Sequence, residues 1–307
     1  MMVLRLLRRL FPVVLKLALA AATLLAACWL VGRYWIGRSE PGTRTEPPGR
    51  FLTVDGRTVH IVERGEGPVV VLVHGIAGSS AEWPAGFVDV LAADHRTLAV
   101  DLLGMGFSDR DEALPYGLPL WSDQIAALLD ELAITRADMV GRDLGAAVAA
   151  TFAGRYPERT RRLVLVALRV PLVSDDEPPR LWWLRLPGLG ELMMGRSARE
   201  LRTLRGARDD ATEATWKIPG TRSAVLSAVR ADIDPDAFGT ALRTIAAPTL
   251  VVHGRADVLV PIAAVSRWVP LIGSVVVHPL ETIGHWPTDE AGETVTALVA
   301  DFLRAGP

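Results

Sequence analysis

The chain of 307 residues has no asparagine, a single cysteine, and only two lysines beside 31 arginines. One cysteine excludes an intramolecular disulfide framework and any zinc finger built on cysteines. A formal net charge of −2 gives no sign of the basic surface that nucleic-acid-binding proteins carry. Half of the residues are hydrophobic and 22% are charged, which excludes a disordered chain. The length predicts one large domain with an insertion.

Residues 1–36 predict a membrane segment. The apolar run from Leu10 to Gly32 is interrupted only by Lys16 and Thr23, and about 20 helical residues span the apolar core of a bilayer. Aromatic residues, which favour the membrane interface, lie near the far end of the run at Trp29, Tyr34 and Trp35. A bias of basic residues toward the N-terminus favours an orientation with the rest of the chain outside the cytoplasm.

Two other interpretations of this segment remain open. The alanine-rich run offers small-residue sites at which a signal peptidase would cleave. Leu25 to Cys28, with the sequence LAAC, resembles the lipobox of bacterial lipoproteins, although the chain stays apolar for several residues beyond Cys28. The polar residues 37–50, rich in proline and glycine, predict a linker to the soluble part.

From residue 51 onward, strand patterns alternate with helix patterns. Short apolar runs predict strands at 51–54, 58–63, 69–73, 96–101, 139–141, 163–166, 248–253 and 274–278. Helical spacing of apolar residues predicts helices at 81–93, 119–134, 144–155, 261–268 and 290–303. This alternation is typical of an α/β fold with a mostly parallel central sheet and helices on both faces. Residues 168–235 lack a clear strand and predict a helical cap inserted between two core parts, 51–167 and 236–307.

The most informative motif is Gly-Arg-Asp-Leu-Gly at residues 141–145, at a predicted strand-to-helix junction. Its two glycines permit a sharp turn that would project Asp143 from the carboxyl edge of the sheet. The N-terminus of the following helix favours the ionised carboxylate. The alternative is an ordinary helix-capping aspartate, which is a common feature of helices.

Four other loops follow predicted strands at the same edge, where open α/β sheets place their sites. Their characteristic residues are the pair His74-Gly75, the glycine-containing stretch 101–109, Asp257 and His285. Together with the Asp143 turn, these loops resemble those of the α/β-hydrolase family over residues 51–303. The resemblance extends to the chain order of nucleophile, acid and histidine.

The resemblance implies a role for each of these residues. Nucleophile, acid and base would be Asp143, Asp257 and His285. The oxyanion hole would be formed by the backbone N–H groups of Ile76 and Leu144, in the loop that begins with His74 and Gly75. The six histidines show no spacing typical of metal ligands, so no metal and no cofactor is expected.

Aspartate at the nucleophile position predicts a particular chemistry. Serine needs a base before it attacks, whereas aspartate is already an anion at neutral pH. It can displace a leaving group from a saturated carbon and form an alkyl-enzyme ester, which a histidine-activated water then hydrolyses. Attack on an ordinary ester would instead give a reactive anhydride, so this residue argues against a plain esterase or lipase.

Within the family, this residue resembles haloalkane dehalogenases, fluoroacetate dehalogenases and epoxide hydrolases. The groups that handle the leaving group in those enzymes are missing here. Leu144 occupies the position of a halide-binding tryptophan, the predicted cap has no tyrosine, and Ala146 and Ala147 stand where a carboxylate-binding arginine would follow. Cap residues expected to line an apolar substrate pocket, or simply to pack in the cap, are Trp182, Trp183, Met193 and Trp216.

The sequence therefore predicts a membrane-anchored hydrolase that forms an alkyl-enzyme ester on a small apolar epoxide or alkyl halide. The alternative is a catalytically silent homologue, also membrane-anchored, that binds a ligand or a partner. The glycine- and serine-rich loop from His74 to Ser80 favours the alternative because it looks more like the loop of the family's serine members. The presence of both Asp257 and His285 favours the enzyme, since folding requires neither.

Overall fold

The computed structural model describes the backbone of residues 2–37, 47–169, 182–196, 214–231 and 234–305. Eight strands form one sheet: β1 Arg50–Val54, β2 Arg57–Arg64, β3 Val69–Val73, β4 Arg96–Val100, β5 Ala137–Arg142, β6 Thr160–Val166, β7 Thr249–Gly254 and β8 Val275–Leu280. Their spatial order is β1-β2-β4-β3-β5-β6-β7-β8. Only β2 runs against its neighbours, and β4, β3, β5, β6, β7 and β8 are parallel. The predicted α/β fold with a mostly parallel sheet is confirmed.

The described helices are α1 Met2–Gly37, α2 Ala85–Ala92, α3 Leu118–Glu131, α4 Leu144–Arg155, α5 Leu189–Arg196, α6 Thr221–Arg230, α7 Pro235–Arg243, α8 Ile262–Trp268, α9 Pro287–Glu290 and α10 Gly292–Arg304. The single helix expected over 81–93 is shorter than predicted. A 3₁₀ turn at Ser80–Glu82 comes first, and α2 starts after Pro84. Proline disfavours the α conformation in the residue before it, so a continuous helix cannot pass through this position.

The sheet is apolar on both faces, as a covered parallel sheet requires. Successive side chains in a strand point to opposite faces. Val71 and Val73 therefore belong to a core cluster that includes residues of α3 and α4. Val70 and Leu72 belong to a second cluster, with residues of α2 and α10. Burial on both sides explains why β3 is an unbroken apolar run.

The N-terminal helix α1 contains a 27-residue span, Leu10–Ile36, with a mean hydropathy of 2.2. Its length and composition fit a membrane anchor or a signal sequence. The C-terminal half of α1 packs against α5 at very short range. A Cβ atom on Gly32 would lie 2.3 Å from the backbone carbon of Glu191, and one on Gly188 would lie 2.3 Å from the carbonyl oxygen of Leu25. Glycine at both positions lets the two backbones touch.

An ion pair joins α1 to the core as well. Both terminal nitrogens of Arg33 donate to the carboxylate of Glu112, each at 3.0 Å. The predicted linker at 37–50 lies largely outside the described residues, as does much of the predicted cap at 168–235. These two boundaries stay predictions.

Candidate active site

Asp143 stands at the turn between β5 and α4, with a backbone φ of 52° and ψ of −122°. A non-glycine residue with positive φ stores strain, which is typical of a nucleophile elbow. Only glycine fits at the two flanking positions, because a Cβ atom at either one would collide with neighbouring backbone atoms. A Cβ on Gly141 would lie 2.2 Å from the carbonyl oxygen of Gly145, and one on Gly145 would lie 2.2 Å from that of Val73. The predicted Gly-x-Asp-x-Gly turn is therefore formed.

Three groups surround the buried carboxylate of Asp143. The backbone N–H of Ile76 donates to Oδ2 at 2.9 Å. On the other oxygen, Oδ1, Nε2 of His285 lies at 3.1 Å in a hydrogen bond, and Nε of Arg169 lies at 3.1 Å in an ion pair. The backbone N–H of Arg169 also donates to the carbonyl oxygen of Asp143. The carboxylate thus has one oxygen bound in the predicted oxyanion loop and the other facing His285 and Arg169.

Asp257 orients the imidazole ring of His285. Its Oδ2 lies 2.7 Å from Nδ1 of His285. Its other oxygen, Oδ1, accepts the backbone N–H groups of Leu259 and Val260, each at 2.8 Å. These two bonds fix the carboxylate, and the carboxylate in turn fixes the ring. The structure therefore brings the three predicted residues into one hydrogen-bonded chain that runs from Asp143 through His285 to Asp257.

The oxyanion loop is held by polar contacts with the predicted His74-Gly75 pair. The N–H of Leu102 donates to Nε2 of His74, whose Nδ1 is 2.7 Å from the carbonyl oxygen of Gly75. The N–H of Gly75 donates to the buried carboxylate of Glu82 at 3.0 Å. A Cβ on Gly75 would lie 2.8 Å from Oδ2 of Asp143. Only glycine at this position lets the loop approach Asp143 so closely.

Arg142, directly before Asp143, supports the histidine loop. Its guanidinium lies 5.0 Å from the centre of the Trp286 ring, a distance typical of a cation–π contact. Trp286 in turn meets His285 edge to face, with 4.7 Å between the ring centres. Arg142 also donates to the carbonyl oxygen of Glu82 and to Asp289. It connects the oxyanion loop to the histidine loop.

The charges around Asp143 shift two pKa values in opposite directions. Burial alone would raise the pKa of Asp143, but the charge of Arg169 and the hydrogen bonds from His285 and Ile76 hold it well below its usual range. Burial lowers the pKa of His285, but its hydrogen bonds to Asp143 and Asp257 outweigh that effect and raise it. A carboxylate lies on each ring nitrogen of His285, and both carboxylates stabilise the protonated ring.

We expect the substitution Asp143→Asn to lower the pKa of His285, because the hydrogen bond to Asp143 is the largest contribution that raises it. The measurement is an NMR titration of the histidine ring protons in the full chain, with His285→Gln to assign the signal. A raised folded-state pKa stabilises the fold below the unfolded value of about 6.5, and this stability is lost as pH rises through the folded value. The Asn variant should therefore lose less stability on the alkaline side. An unchanged His285 pKa would contradict this coupling.

Other predicted site residues are less closely tied to Asp143. The side chains of Trp182 and Trp183 lie outside the described residues, and Met193 is partly exposed. Trp216 is buried, and its indole N–H has no hydrogen-bond partner among the described residues. Leu144 is the first residue of α4, and its role in the oxyanion hole stays a prediction. Within the described ranges, no group of three or more potential metal ligands occurs.

Arg169 is the site residue that the sequence analysis missed. It comes three residues after β6, whose carboxyl end lies at the same sheet edge as those of β3 and β5. The signal was available, because every parallel strand delivers its next residues to this edge. However, no sequence motif marks the position. Arg169 is one of 31 arginines in the chain, so its residue type alone does not indicate a role in the site.

Comparison with known proteins agrees with this fold. A family profile described as alpha/beta hydrolase fold matches residues 68–217. The 2-hydroxy-6-oxo-2,4-heptadienoate hydrolase of Pseudomonas putida is 31% identical over 272 residues, which cover 84% of this chain and 96% of that relative.

Two solved structures extend the comparison. A meta-cleavage product hydrolase from Pseudomonas fluorescens is 26% identical, with a TM-score of 0.62 over 83% of this chain and 97% of that one. An epoxide hydrolase from Bacillus megaterium shares the fold, with a TM-score of 0.71 at 20% identity, over 83% of this chain and all of that one. The chain belongs to the α/β-hydrolase family. It is a hydrolase of that fold, and its curated relatives include hydrolases and esterases.

Proposed function

We propose that the chain is a hydrolase with Asp143 as its nucleophile, acting on small apolar epoxides or alkyl halides. The observation that carries the proposal is the placement of an ionised carboxylate at the elbow, hydrogen-bonded to His285 and to the backbone N–H of Ile76. No cofactor enters the proposed reaction. The base and its acid partner are both in contact distance, as a two-step mechanism through a covalent ester requires.

In the first step, Oδ1 of Asp143 attacks a saturated carbon of the substrate. A bond forms between Oδ1 and carbon, and the bond from carbon to the leaving atom breaks with its electron pair. A halide departs as an anion, and an opened epoxide oxygen takes a proton from water. Oδ2 stays on the N–H of Ile76, which holds the carboxylate in one orientation. The depressed pKa of Asp143 keeps it ionised for this attack.

In the second step, the ester itself switches His285 into a base. Alkylation removes the negative charge of Asp143 and with it the largest contribution that raises the pKa of His285. The imidazolium then gives up its proton, to bulk water after halide displacement or to the hydroxide that epoxide opening leaves. Neutral His285 accepts a proton from a water that attacks the ester carbonyl. The N–H of Ile76 stabilises the oxyanion that forms. Collapse releases the alcohol, which takes the proton from His285. The carboxyl proton that remains on Asp143 then passes to His285, which restores the carboxylate of Asp143 and the protonated ring.

The activities named for the curated relatives fit this elbow less well. The pimeloyl-[acyl-carrier protein] methyl ester esterase of Aeromonas salmonicida, at 33% identity, acts by its name on an ester. A carboxylate that attacks an ester carbonyl would form a mixed anhydride, which gains nothing over direct attack by water. Attack at a saturated carbon avoids this intermediate. The aspartate therefore favours a substrate with a leaving group on such a carbon.

The second candidate is a catalytically silent homologue that binds a ligand or partner. One observation favours it. Oδ1 of Asp143, the oxygen that would attack, is engaged by both His285 and Arg169 at 3.1 Å. In a silent protein this network would be a neutral buried cluster, with two carboxylates balanced by an imidazolium and a guanidinium. The two candidates differ in whether an electrophile alkylates Asp143.

In either candidate, α1 would anchor the chain to a membrane and leave the catalytic domain outside the cytoplasm. The support is the span Leu10–Ile36 and the basic residues at its N-terminal side, Arg5, Arg8 and Arg9. Residues of the cap would then meet an apolar substrate close to the bilayer.

The deciding experiment traps the ester in the variant His285→Gln. Without its base, the enzyme should complete the first step and stop. The full chain in detergent is incubated separately with epoxides and with haloalkanes, and the intact mass is measured. One adduct per chain is expected, and peptide mapping should place it on Asp143.

The matched control is Asp143→Asn in the same background, which preserves the shape of the side chain and removes its charge. It should acquire no adduct. The adduct mass separates the substrate classes, because epoxide opening adds the whole substrate and halide displacement adds the substrate without its halogen. A folded His285→Gln protein that acquires no mass from either panel would support the silent homologue.

A further inference from the structure

The proposed displacement leaves one requirement unmet, which is a group that stabilises the departing anion. Leu144 provides no donor beyond its backbone, and asparagine is absent from the chain. The tyrosines are Tyr34, Tyr116 and Tyr156, all outside the predicted cap. A buried site without such a donor would have to release a halide or an alkoxide into apolar surroundings, which is costly.

Arg169 brings a guanidinium into contact with the reacting oxygen. Its Nε lies 3.1 Å from Oδ1 of Asp143, and its side chain is 18% exposed. The backbone N–H of Arg169 donates to the carbonyl oxygen of Asp143, which fixes where the side chain begins. In an in-line displacement the leaving atom departs on the far side of the carbon that Oδ1 attacks, two bonds from Oδ1, so the long side chain of Arg169 has to extend past Oδ1 to meet it.

The guanidinium of Arg169 also has donors without an acceptor in the part of the chain that the structure describes. Among the described residues, its side chain makes the ion pair with Asp143 but no hydrogen bond. Two other partly or largely buried arginines make several hydrogen bonds each. Arg142 bonds Glu82 and Asp289, and Arg230 makes four hydrogen bonds to Leu184, Leu186 and Glu191. A largely buried guanidinium with free N–H groups beside a nucleophile is suited to receive an anion.

We propose that Arg169 is the catalytic residue that stabilises the leaving group. At rest it balances the charge of Asp143. When substrate binds, Oδ1 turns its electron pair to carbon, and the guanidinium changes partner from Oδ1 to the departing halide or epoxide oxygen. As the bond to Oδ1 forms, the negative charge moves from the carboxylate to the leaving atom. The guanidinium of Arg169 moves with this charge and stays protonated. The ion pair between Arg169 and Asp143, which supports the silent homologue, is then also the resting state of an active enzyme.

This inference depends on the proposed function, so the test starts from the His285→Gln variant in which one alkylation is measured. The substrates are 1-chlorohexane, 1-bromohexane and 1-iodohexane, given to the full chain in detergent. Loss of one donor to a developing anion typically costs about 10²–10³ in rate. For Arg169→Met we expect a loss of this size with the chloride and a much smaller one with the iodide, which is a better leaving group.

Two further variants separate the possible roles. Arg169→Lys keeps the charge and should recover part of the rate with the chloride. The matched control Arg304→Met removes an exposed guanidinium that pairs with Asp94 and should leave the leaving-group dependence unchanged. An equal loss with all three halides would mean that Arg169 only positions Asp143. A faster reaction in Arg169→Met would mean that the ion pair only inhibits, and either result overturns the proposal.

A binding measurement tests the anion site without any turnover. In Asp143→Asn the guanidinium loses its charge partner, so bromide should bind more tightly than in the unaltered chain. The added substitution Arg169→Met should abolish that gain. Bromide is titrated against tryptophan fluorescence, since Trp286 adjoins His285. Absence of an Arg169-dependent gain refutes the anion site. Absence of any adduct in the His285→Gln parent refutes the proposed function, and with it any catalytic role for Arg169.

Discussion

Replacing Asp143 with serine should abolish alkylation of haloalkanes and epoxides and create activity on an activated ester such as p-nitrophenyl butyrate. A neutral hydroxyl cannot displace a halide without a base, and loss of a nucleophile costs about 10⁴–10⁶ in rate. The remaining parts suit an acyl transfer. The N–H of Ile76 is positioned for an oxyanion, and His285 is oriented by Asp257. Removal of the Asp143 charge also lowers the pKa of His285, which frees it to act as a base.

The measurement compares three proteins on two substrates. The unaltered chain should act on the alkyl substrate, Asp143→Ser on the ester, and Asp143→Asn on neither. Thermal unfolding of the variants shows whether each is folded. If the unaltered chain hydrolyses the ester and Asp143→Ser does not, the proposed difference in reaction between aspartate and serine at this position is contradicted.

The substitution Asp257→Asn should stop the second step and leave the first. Oδ1 of the new amide can still accept the N–H groups of Leu259 and Val260. Its NH₂ group would then face Nδ1 of His285 and donate to it. The ring proton would move to Nε2, the nitrogen that has to accept a proton from water. A comparable exchange in a serine protease lowers kcat by about 10⁴.

The expected signature of Asp257→Asn is a burst. One equivalent of halide or diol precursor forms per chain at nearly the original rate, after which turnover almost stops and the ester accumulates on Asp143. Rapid-quench kinetics with intact mass spectrometry measures both. A loss of the burst itself, in a protein that unfolds at the same temperature, would show that Asp257 also serves the first step.

Sequence patterns were sufficient for the architecture. The unbroken apolar run of β3 fits a strand that is buried on both faces. The Gly-x-Asp-x-Gly pattern fits a sharp strand-to-helix turn, because backbone sterics leave few alternatives. The histidine and acid loops could be placed for the same reason, since parallel strands deliver their next residues to one edge. The structure brings Asp143, His285 and Asp257 together as expected, over separations of 142 and 28 residues.

What the sequence could not provide were relationships that depend on packing in three dimensions. The contact of Arg169 with Asp143 depends on where a side chain turns after its strand ends. The support that Arg142 gives to Trp286 and Asp289 joins parts of the chain with no shared pattern. Strand β8 also continues beyond the predicted 274–278, because Pro279 lies in an edge strand that needs no donor on its outer side.

With α1 as the proposed membrane anchor, its backbone contact with α5 would link the predicted cap to the physical state of the lipid. A helix with a 27-residue apolar span exceeds the thickness of an ordinary bilayer core and adapts by tilting. Gly32 and Gly188 leave no gap between the two helices, so a tilt of α1 must carry α5 with it or break their contact. In the proposed membrane-anchored protein, bilayer thickness would thereby become a mechanical input to the predicted cap. A soluble fragment without α1 would lack this influence of bilayer thickness, and it would also lack the surface on which α5 lies.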